Sequence, residues 1–241
     1  MVRAGRPPQD PARQLERAHR ILDAAAELVL RWGYDKTTID DVAKAAGVAK
    51  GTIYLHWRTR DDLFAALLRR ERVRMLAEVR ASGPATPREL FERLALGLLR
   101  RPLLKAVLLS DSEVLGKLTR RKRASAGALD LGPGFERYLR ELRALGAVRD
   151  APAADLGIVI GSVLYGFLFL PTAVPEPARQ PDEKIAALLA DTLDRAIGGG
   201  RTPTAGEAEA VARATLDCLD AVEEVAAHKL TASLGTEERV S

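Results

Sequence analysis

Apolar side chains in the first third of the chain recur every three or four residues, in segments separated by turn-forming residues. This spacing predicts a helix from Leu15 to Trp32, ended by Gly33, and a long helix from about Arg60 to Ala81. Between them, residues 38–57 predict two short helices joined at Gly47, where a residue without Cβ can adopt the left-handed conformation. The pattern therefore predicts a helix-turn-helix.

The remaining two thirds of the chain predict helices and no strands. No stretch alternates apolar and polar residues over a useful length, and residues 82–87 form a boundary rich in proline and glycine. The expected fold class is all-α, with a flexible arm at 1–14, a three-helix domain at 15–75 and a larger helical bundle at 82–241. The predicted helices of the bundle cover about 86–100, 102–119, 133–146, 152–171, 182–198 and 204–230.

The segment from Leu156 to Val174 has no charged residue and approaches the length of a membrane span. Pro171 is expected to stop the helix after 15 residues, whereas a span needs about 20. Gly157 and Gly161 would let another helix come close. We expect a helix buried on all sides in a soluble bundle, and no membrane partner.

The second short helix, at about residues 49–57, separates its side chains by angle. Ile53 and Trp57 face the core, while Gly51 and Leu55 point directly away from it. A cation, two hydroxyl groups and an imidazole flank the buried stripe, and they belong to Lys50, Thr52, Tyr54 and His56. A helix with this outer face suits close approach to a polyanion, and the major groove of DNA accommodates it.

Residues 37–63 read T-T-I-x-D-V-A-x-x-A-G-V-x-K-G-T-I-Y-x-H-W-x-T-x-D-D-L, which resembles the tetracycline-repressor (TetR) family of bacterial transcription regulators. The resemblance covers about residues 15–75. Two residues depart from the family pattern, since Ala49 replaces a serine and Trp57 replaces a phenylalanine. The resemblance implies a recognition helix with base-proximal Lys50, Gly51 and Thr52, and with phosphate contacts from Thr38, Tyr54, His56 and Arg60.

The same resemblance implies a homodimer and a small-molecule effector. The helices at 152–171 and 182–198 would form a four-helix interface with a second subunit, which places two recognition helices on a palindromic DNA operator. An unknown effector would bind in the bundle and lower operator affinity. Candidates for its pocket are large residues at apolar-face positions, which are equally suited to a packed core: Phe91, Leu98, Leu108, Tyr138, Tyr165 and Phe169.

Positive charge is concentrated near the predicted helix-turn-helix. Residues 1–80 hold 16 Lys and Arg against 11 Asp and Glu, while the remainder holds 21 against 22. Such a basic region is the electrostatic footprint of a DNA-binding domain. The arm at 1–14 could place Arg3, Arg6 and Arg13 in the minor groove, and a further basic cluster lies at 117–123.

Residue types that carry catalysis or bind metals are sparse. Cys218 is the only cysteine, which excludes an intramolecular disulfide and a multi-cysteine metal site and fits a cytoplasmic protein. The three histidines lie far apart without metal-ligand spacing. We therefore expect no catalytic residue, metal or cofactor. The expected function is a DNA-binding repressor released by an effector; the alternatives are an effector-independent architectural protein, an activator, or an enzyme.

Overall fold

The computed structural model describes residues 10–109, 132–175 and 178–234. These residues form ten helices and no strand, which confirms the all-α expectation. The predicted basic cluster at 117–123 lies outside the described residues, as do Arg3 and Arg6. The helices are α1 (Pro11–Trp32), α2 (Ile39–Ala45), α3 (Lys50–His56), α4 (Arg60–Ala81), α5 (Pro87–Leu99), α6 (Pro102–Leu109), α7 (Gly132–Ala144), α8 (Ala153–Ala173), α9 (Asp182–Ile197) and α10 (Ala205–Ser233).

The first helices form the N-terminal unit, by which we mean α1 to α3 and the first half of α4. Leu22, Ile53 and Leu63 are fully buried in its core. Helix α1 begins at Pro11, after Asp10 accepts a hydrogen bond of 3.0 Å from the backbone of Ala12. The predicted arm therefore ends earlier than residue 14, because a side-chain cap and a proline in the first turn start the helix there.

The second half of α4 and helices α5 to α10 form the bundle, which has a core of its own. Helix α5 packs along α9, and the long α10 packs along both α4 and α7. Helix α6 contributes to both cores, with Leu103 in the N-terminal unit and Leu104 in the bundle. The two cores are therefore joined by packed helices as well as by the continuous α4.

Helix α8 differs from its prediction in length and in burial. It runs through Pro171 to Ala173, so the proline does not end it; a proline in the last turn removes one backbone hydrogen bond and leaves the preceding turns intact. Its inner face is buried at Leu156, Ile160, Leu164 and Leu168, but its outer face is open. The expectation of burial on all sides is wrong for the single chain.

Within the described residues, α8 also contains one window, Ala153–Leu170, that is long and apolar enough to cross a membrane by length and composition. Only 22% of that window is buried inside the chain. Its outer face carries Ile158, Tyr165, Phe169 and Leu170, which are between 43% and 68% exposed. The outer face of α8 is therefore an exposed apolar surface in the single chain.

Candidate nucleic-acid interface

The turn between α2 and α3 has the local geometry that its residues predict. Thr38 caps α2: its hydroxyl donates to a carboxylate oxygen of Asp41 at 2.6 Å and accepts from the Asp41 backbone at 3.2 Å. The bond from the Thr38 hydroxyl, with a second from the Thr38 backbone N–H at 3.0 Å, holds the pKa of the Asp41 carboxyl below its usual value. Gly47 has a φ of 64°, and the backbone of Val48 donates to Ala43 at 3.0 Å. The turn fixes the direction in which α3 leaves α2.

Helix α3 has one buried side and one open side. Ile53 and Trp57 are 0% and 2% exposed, whereas Tyr54 is 47% exposed and Leu55 is 71% exposed. Gly51 is exposed, and a Cβ added there would meet no other atom within 4 Å. The sequence pattern predicts no DNA contact for Leu55, although the angle of this residue on the helix points it away from the core. The structure makes it part of the open side.

Lys50 lies at the start of this open side and is paired with α2. Its Nζ donates to a carboxylate oxygen of Asp40 at 2.8 Å, and this contact raises the pKa of the lysine. Both side chains are at least half exposed, so solvent screens the pair and it adds little to stability. A phosphate or a base acceptor can therefore replace Asp40 at low cost.

Arg60, at the start of α4, contacts the protein on two sides. Its guanidinium lies 4.1 Å from the centroid of the Tyr34 ring, and Nη1 donates to the Thr37 carbonyl at 3.1 Å. The Tyr34 hydroxyl in turn donates to Asp61, and burial raises the pKa of Tyr34 to about 12. Arg60 thus supports the turn that presents Thr38.

The remaining predicted contact residues of α3 are half-buried. Thr52 is one, and its backbone donates to Ala49 at 2.8 Å. His56 is the other, with its ring 5.2 Å from that of Trp57 and a hydrogen bond to the backbone of Leu234. Burial lowers the pKa of His56, so the imidazole is held in its neutral form. The structure brings His56 against the end of α10 rather than onto the open side.

The two departures from the family pattern have different consequences. Ala49 precedes α3 without any side-chain hydrogen bond, so the start of that helix has no side-chain cap. Trp57 is buried, and its Nε1 donates to the carbonyl of Ser233 at 2.9 Å. A phenylalanine could not make this bond.

The six residues proposed for an effector pocket fall into two groups. Phe91, Leu108 and Tyr138 are buried in the bundle core with Leu98 packed against it, and the Tyr138 hydroxyl lies 2.9 Å from that of Thr215. Tyr165 and Phe169 stack on each other on the outer face of α8, with ring centroids 5.7 Å apart. These two residues do not face the interior, because the helix turns them outward.

The described part of the bundle has a shallow cleft of about 350 Å³ between α7 and α10. It also has a small void of about 10 Å³ beside Phe91. The cleft is lined by charged residues such as Glu141, Arg213 and Asp217. Cys218 is buried, and burial raises the pKa of its thiol to about 12, so the thiol stays protonated. No group of three or more potential metal ligands occurs among the described residues.

Comparisons with known proteins support the N-terminal assignment. Residues 21–67 match the family described as bacterial regulatory proteins, tetR family. An HTH-type transcriptional repressor of Mycobacterium tuberculosis is 39% identical over 67 residues, or 28% of this chain and 36% of that protein. The transcriptional regulator AcrR of Shigella flexneri is 30% identical over 113 residues, or 43% and 53%. The chain thus spans between about a third and a half of these relatives.

Solved structures extend the likeness in fold beyond the matched residues. A TetR-family transcriptional regulator from Rhodococcus sp. has a TM-score of 0.57 at 22% identity, and covers 75% of this chain and 98% of its own. FadR from Bacillus subtilis, in complex with stearoyl-CoA, has a TM-score of 0.53 at 18% identity, with 73% and 96% covered. These relatives and neighbours are regulators rather than enzymes. The helix-turn-helix of this chain, within residues 21–67, is therefore a domain of the tetR family of bacterial regulatory proteins, and the solved structures share its all-helical fold.

Proposed function

We propose that the protein is a cytoplasmic transcriptional repressor that places α3 in the major groove of a palindromic operator. Lys50, Gly51 and Thr52 lie toward the bases, while Thr38, Tyr54 and Arg60 lie toward the phosphates; His56, which faces the end of α10, is left out of this set. Leu55 joins them as an apolar contact, suited to a thymine methyl group. The Mycobacterium tuberculosis relative, which is named a repressor, supports repression over activation.

The observation that carries this proposal is the open glycine on α3. A glycine inside a helix destabilises it by about 0.5–1 kcal/mol relative to alanine, and nothing in the protein lies within 4 Å of the missing Cβ of Gly51. The packing of the chain therefore does not require glycine there. Close approach to a duplex does, because a side chain at this position would separate the helix backbone from the bases.

The experiment that tests it is Gly51→Ala, which should have opposite effects on folding and on binding. We expect the free energy of unfolding to rise by about 0.5–1 kcal/mol. Operator affinity, measured by fluorescence anisotropy on fragments selected from genomic DNA, should fall at least tenfold. Gly206→Ala is the matched control, since Gly206 is an exposed helical glycine near the start of α10 with equally open space. An affinity unchanged by Gly51→Ala contradicts the proposed orientation of α3.

The protein acts as a homodimer through the outer faces of α8 and α9. Exposed apolar residues continue from α8 onto α9 at Leu188, which is 46% exposed. Gly166, on the outer face of α8, has open space where a Cβ would stand, so a second helix can approach closely there. Two recognition helices double the number of base contacts, each worth about 1–3 kcal/mol of discrimination.

Ile158→Asp tests this interface. Ile158 is 68% exposed in the single chain, so the substitution should leave the fold intact and give a monomer by mass photometry. Val225→Asp on α10 is the control, because Val225 is 50% exposed away from the proposed interface and its substitution should leave a dimer. A wild-type chain that stays monomeric on DNA, or that binds lipid vesicles through α8, contradicts the dimer.

An effector binds inside the bundle and releases the DNA. FadR, solved in complex with stearoyl-CoA, supports this reading. Phe91, Leu98, Leu108 and Tyr138 pack in or against the core, and the void beside Phe91 is about 10 Å³, so the bundle would have to open to admit a ligand among them. Stearoyl-CoA is a suitable first probe because its acyl chain matches an apolar interior. Displacement of labelled operator by this probe supports an effector of that class. If neither stearoyl-CoA nor other apolar ligands change the occupancy of the operator by the protein, the result favours the architectural alternative.

A further inference from the structure

Helix α10 begins in the bundle and ends in the N-terminal unit. Its 29 residues span about 44 Å at 1.5 Å per residue. Along this length it contacts α7 through the bond between Thr215 and Tyr138, and α4 through the ion pair between Asp220 and Arg80. Leu234, directly after the helix, is only 6% exposed and belongs to the core of the N-terminal unit, with Leu230 packed beside it.

The end of α10 is bonded to the end of the recognition helix. The last carbonyls of an α-helix have no partner within the helix and need another donor. The indole Nε1 of Trp57 supplies one of these donors, to the carbonyl of Ser233 at 2.9 Å. His56, the adjacent residue, hydrogen-bonds to the backbone of Leu234. Two consecutive side chains at the C-terminal end of α3 are thus committed to two consecutive residues at the end of α10.

These contacts explain two features of the sequence together. Tryptophan at position 57 provides an N–H that the phenylalanine of the family pattern lacks, and the acceptor of that N–H is the end of the final helix. Trp57 is only 2% exposed, so its N–H is shielded from water in the folded chain and the Ser233 carbonyl serves as its acceptor. A buried donor without an acceptor is costly, and the tryptophan and the helix end therefore depend on each other.

We propose that the C-terminal turn of α10, residues 230–234, positions the recognition helix by holding Trp57 and His56. This inference rests on the proposed DNA-binding function of α3. The N-terminal unit is then linked to the bundle by α10 as well as by α4, and a movement of the bundle reaches the C-terminal end of α3 through both helices. Trp57 is a positioning residue, since it faces away from the open side of the helix.

The contact itself is tested without DNA. The chain has two tryptophans, so Trp32→Phe leaves Trp57 as the sole indole fluorophore. In that background, truncation after Ala232 removes both Ser233 and Leu234. We expect the emission of Trp57 to shift to longer wavelength, and acrylamide quenching to rise severalfold. An emission spectrum and quenching that do not change overturn the proposed contact, whether or not the protein binds DNA.

The positioning role is tested with operator affinity, measured well below the unfolding temperature. Trp57→Phe keeps the aromatic ring and removes only the donor, and we expect a loss of affinity of about 3- to 10-fold, the range of one hydrogen bond. Truncation after Ala232 should lower the affinity at least as much, and adding Trp57→Phe to the truncated chain should lower it no further. Trp32→Phe alone should have no effect, because Trp32 is 41% exposed at the end of α1.

The remaining outcomes separate the two proposals. A lower melting temperature with unchanged operator affinity means that the bond only stabilises the fold, and it overturns the positioning role. Additive losses in the double variant overturn it as well, since the two changes would then act independently. A chain that binds no operator while the fluorescence changes as expected contradicts the proposed function but keeps the contact.

Discussion

Helices α2 and α4 of the N-terminal unit each begin at a threonine that is capped reciprocally by an aspartate, at Thr38 and Thr59. Helices α8 and α9 of the bundle each follow a proline and have no side-chain cap. The outer residues of α3 are mostly polar or small, whereas α8 exposes a row of large apolar residues. These four helices therefore rely on different sources of order.

Local interactions specify the short helices of the N-terminal unit, because a cap and a turn glycine act within four residues of sequence. Packing specifies α8 and α9, and the proposed homodimer would cover the outer face of α8. Helices α5 and α10 of the same bundle begin at capping threonines, Thr86 and Thr204. Stability in the first region should therefore respond to single residues within the chain. Stability in the second should depend on protein concentration as well.

The largest change in the free energy of unfolding should come from a substitution in the core of the N-terminal unit. Leu63→Ala removes a fully buried side chain and should lower the free energy of unfolding by about 2–5 kcal/mol, measured by urea denaturation. Leu55→Ala, in the same unit but 71% exposed, should change it by less than about 0.5 kcal/mol. Equal effects of the two substitutions would contradict the core described for this unit.

A smaller loss of stability should follow from replacing the buried, charged Arg70, which lies between α1 and α4. Arg70 is 2% exposed, donates to the His19 carbonyl at 3.0 Å and pairs with Asp23 at 2.8 Å. Arg70→Met should destabilise the protein by about 1–3 kcal/mol, because the buried carbonyl loses its donor. Arg80→Met removes the exposed pair with Asp220 and should destabilise the protein less, because solvent screens that pair. Urea denaturation should therefore show a larger loss of stability for Arg70→Met than for Arg80→Met, and the opposite order would contradict this assignment.

A gain of stability is expected at the uncapped start of α3. Ala49→Ser adds a hydroxyl that can accept from the free backbone donors of the first turn, and it should raise the free energy of unfolding by about 0.5–1 kcal/mol. The same hydroxyl should strengthen operator binding slightly through a phosphate contact. A neutral or negative change in thermal unfolding would show that this short helix is specified by packing rather than by its cap.

The smallest effect should appear in the dependence of stability on pH. Burial lowers the pKa of His19 and of His56, so the unfolded chain binds more protons than the folded chain below the ordinary histidine pKa of 6.5. This contribution is present above pH 6.5 and is lost as the pH falls through the folded pKa values. The melting temperature should therefore fall between pH 7 and pH 5.5. Replacing both histidines with glutamine should reduce that fall, and an unchanged profile would contradict the assignment.

Residues close together in sequence could be placed from the sequence alone. The cap at Thr38, the left-handed Gly47 and the buried stripe of Ile53 and Trp57 all follow from spacing, and the structure confirms each of them. The partners of Lys50 and Arg60 could not be placed, because Asp40 and Tyr34 approach them only when separate helices pack. The sequence also placed Tyr165 and Phe169 inside the bundle, since an apolar residue carries no sign of which apolar surface it meets.

The chain's own pattern of apolar residues, glycines and caps determined the all-helical fold, the helix-turn-helix and the direction of its open face, because these depend on interactions within a turn or two of backbone. The tertiary structure alone decided that the final helix returns to the N-terminal unit, where Ser233 meets Trp57 across 176 residues of sequence. It also decided that one face of α8 stays uncovered. Contacts between distant segments depend on how whole helices pack, and no local periodicity encodes that arrangement.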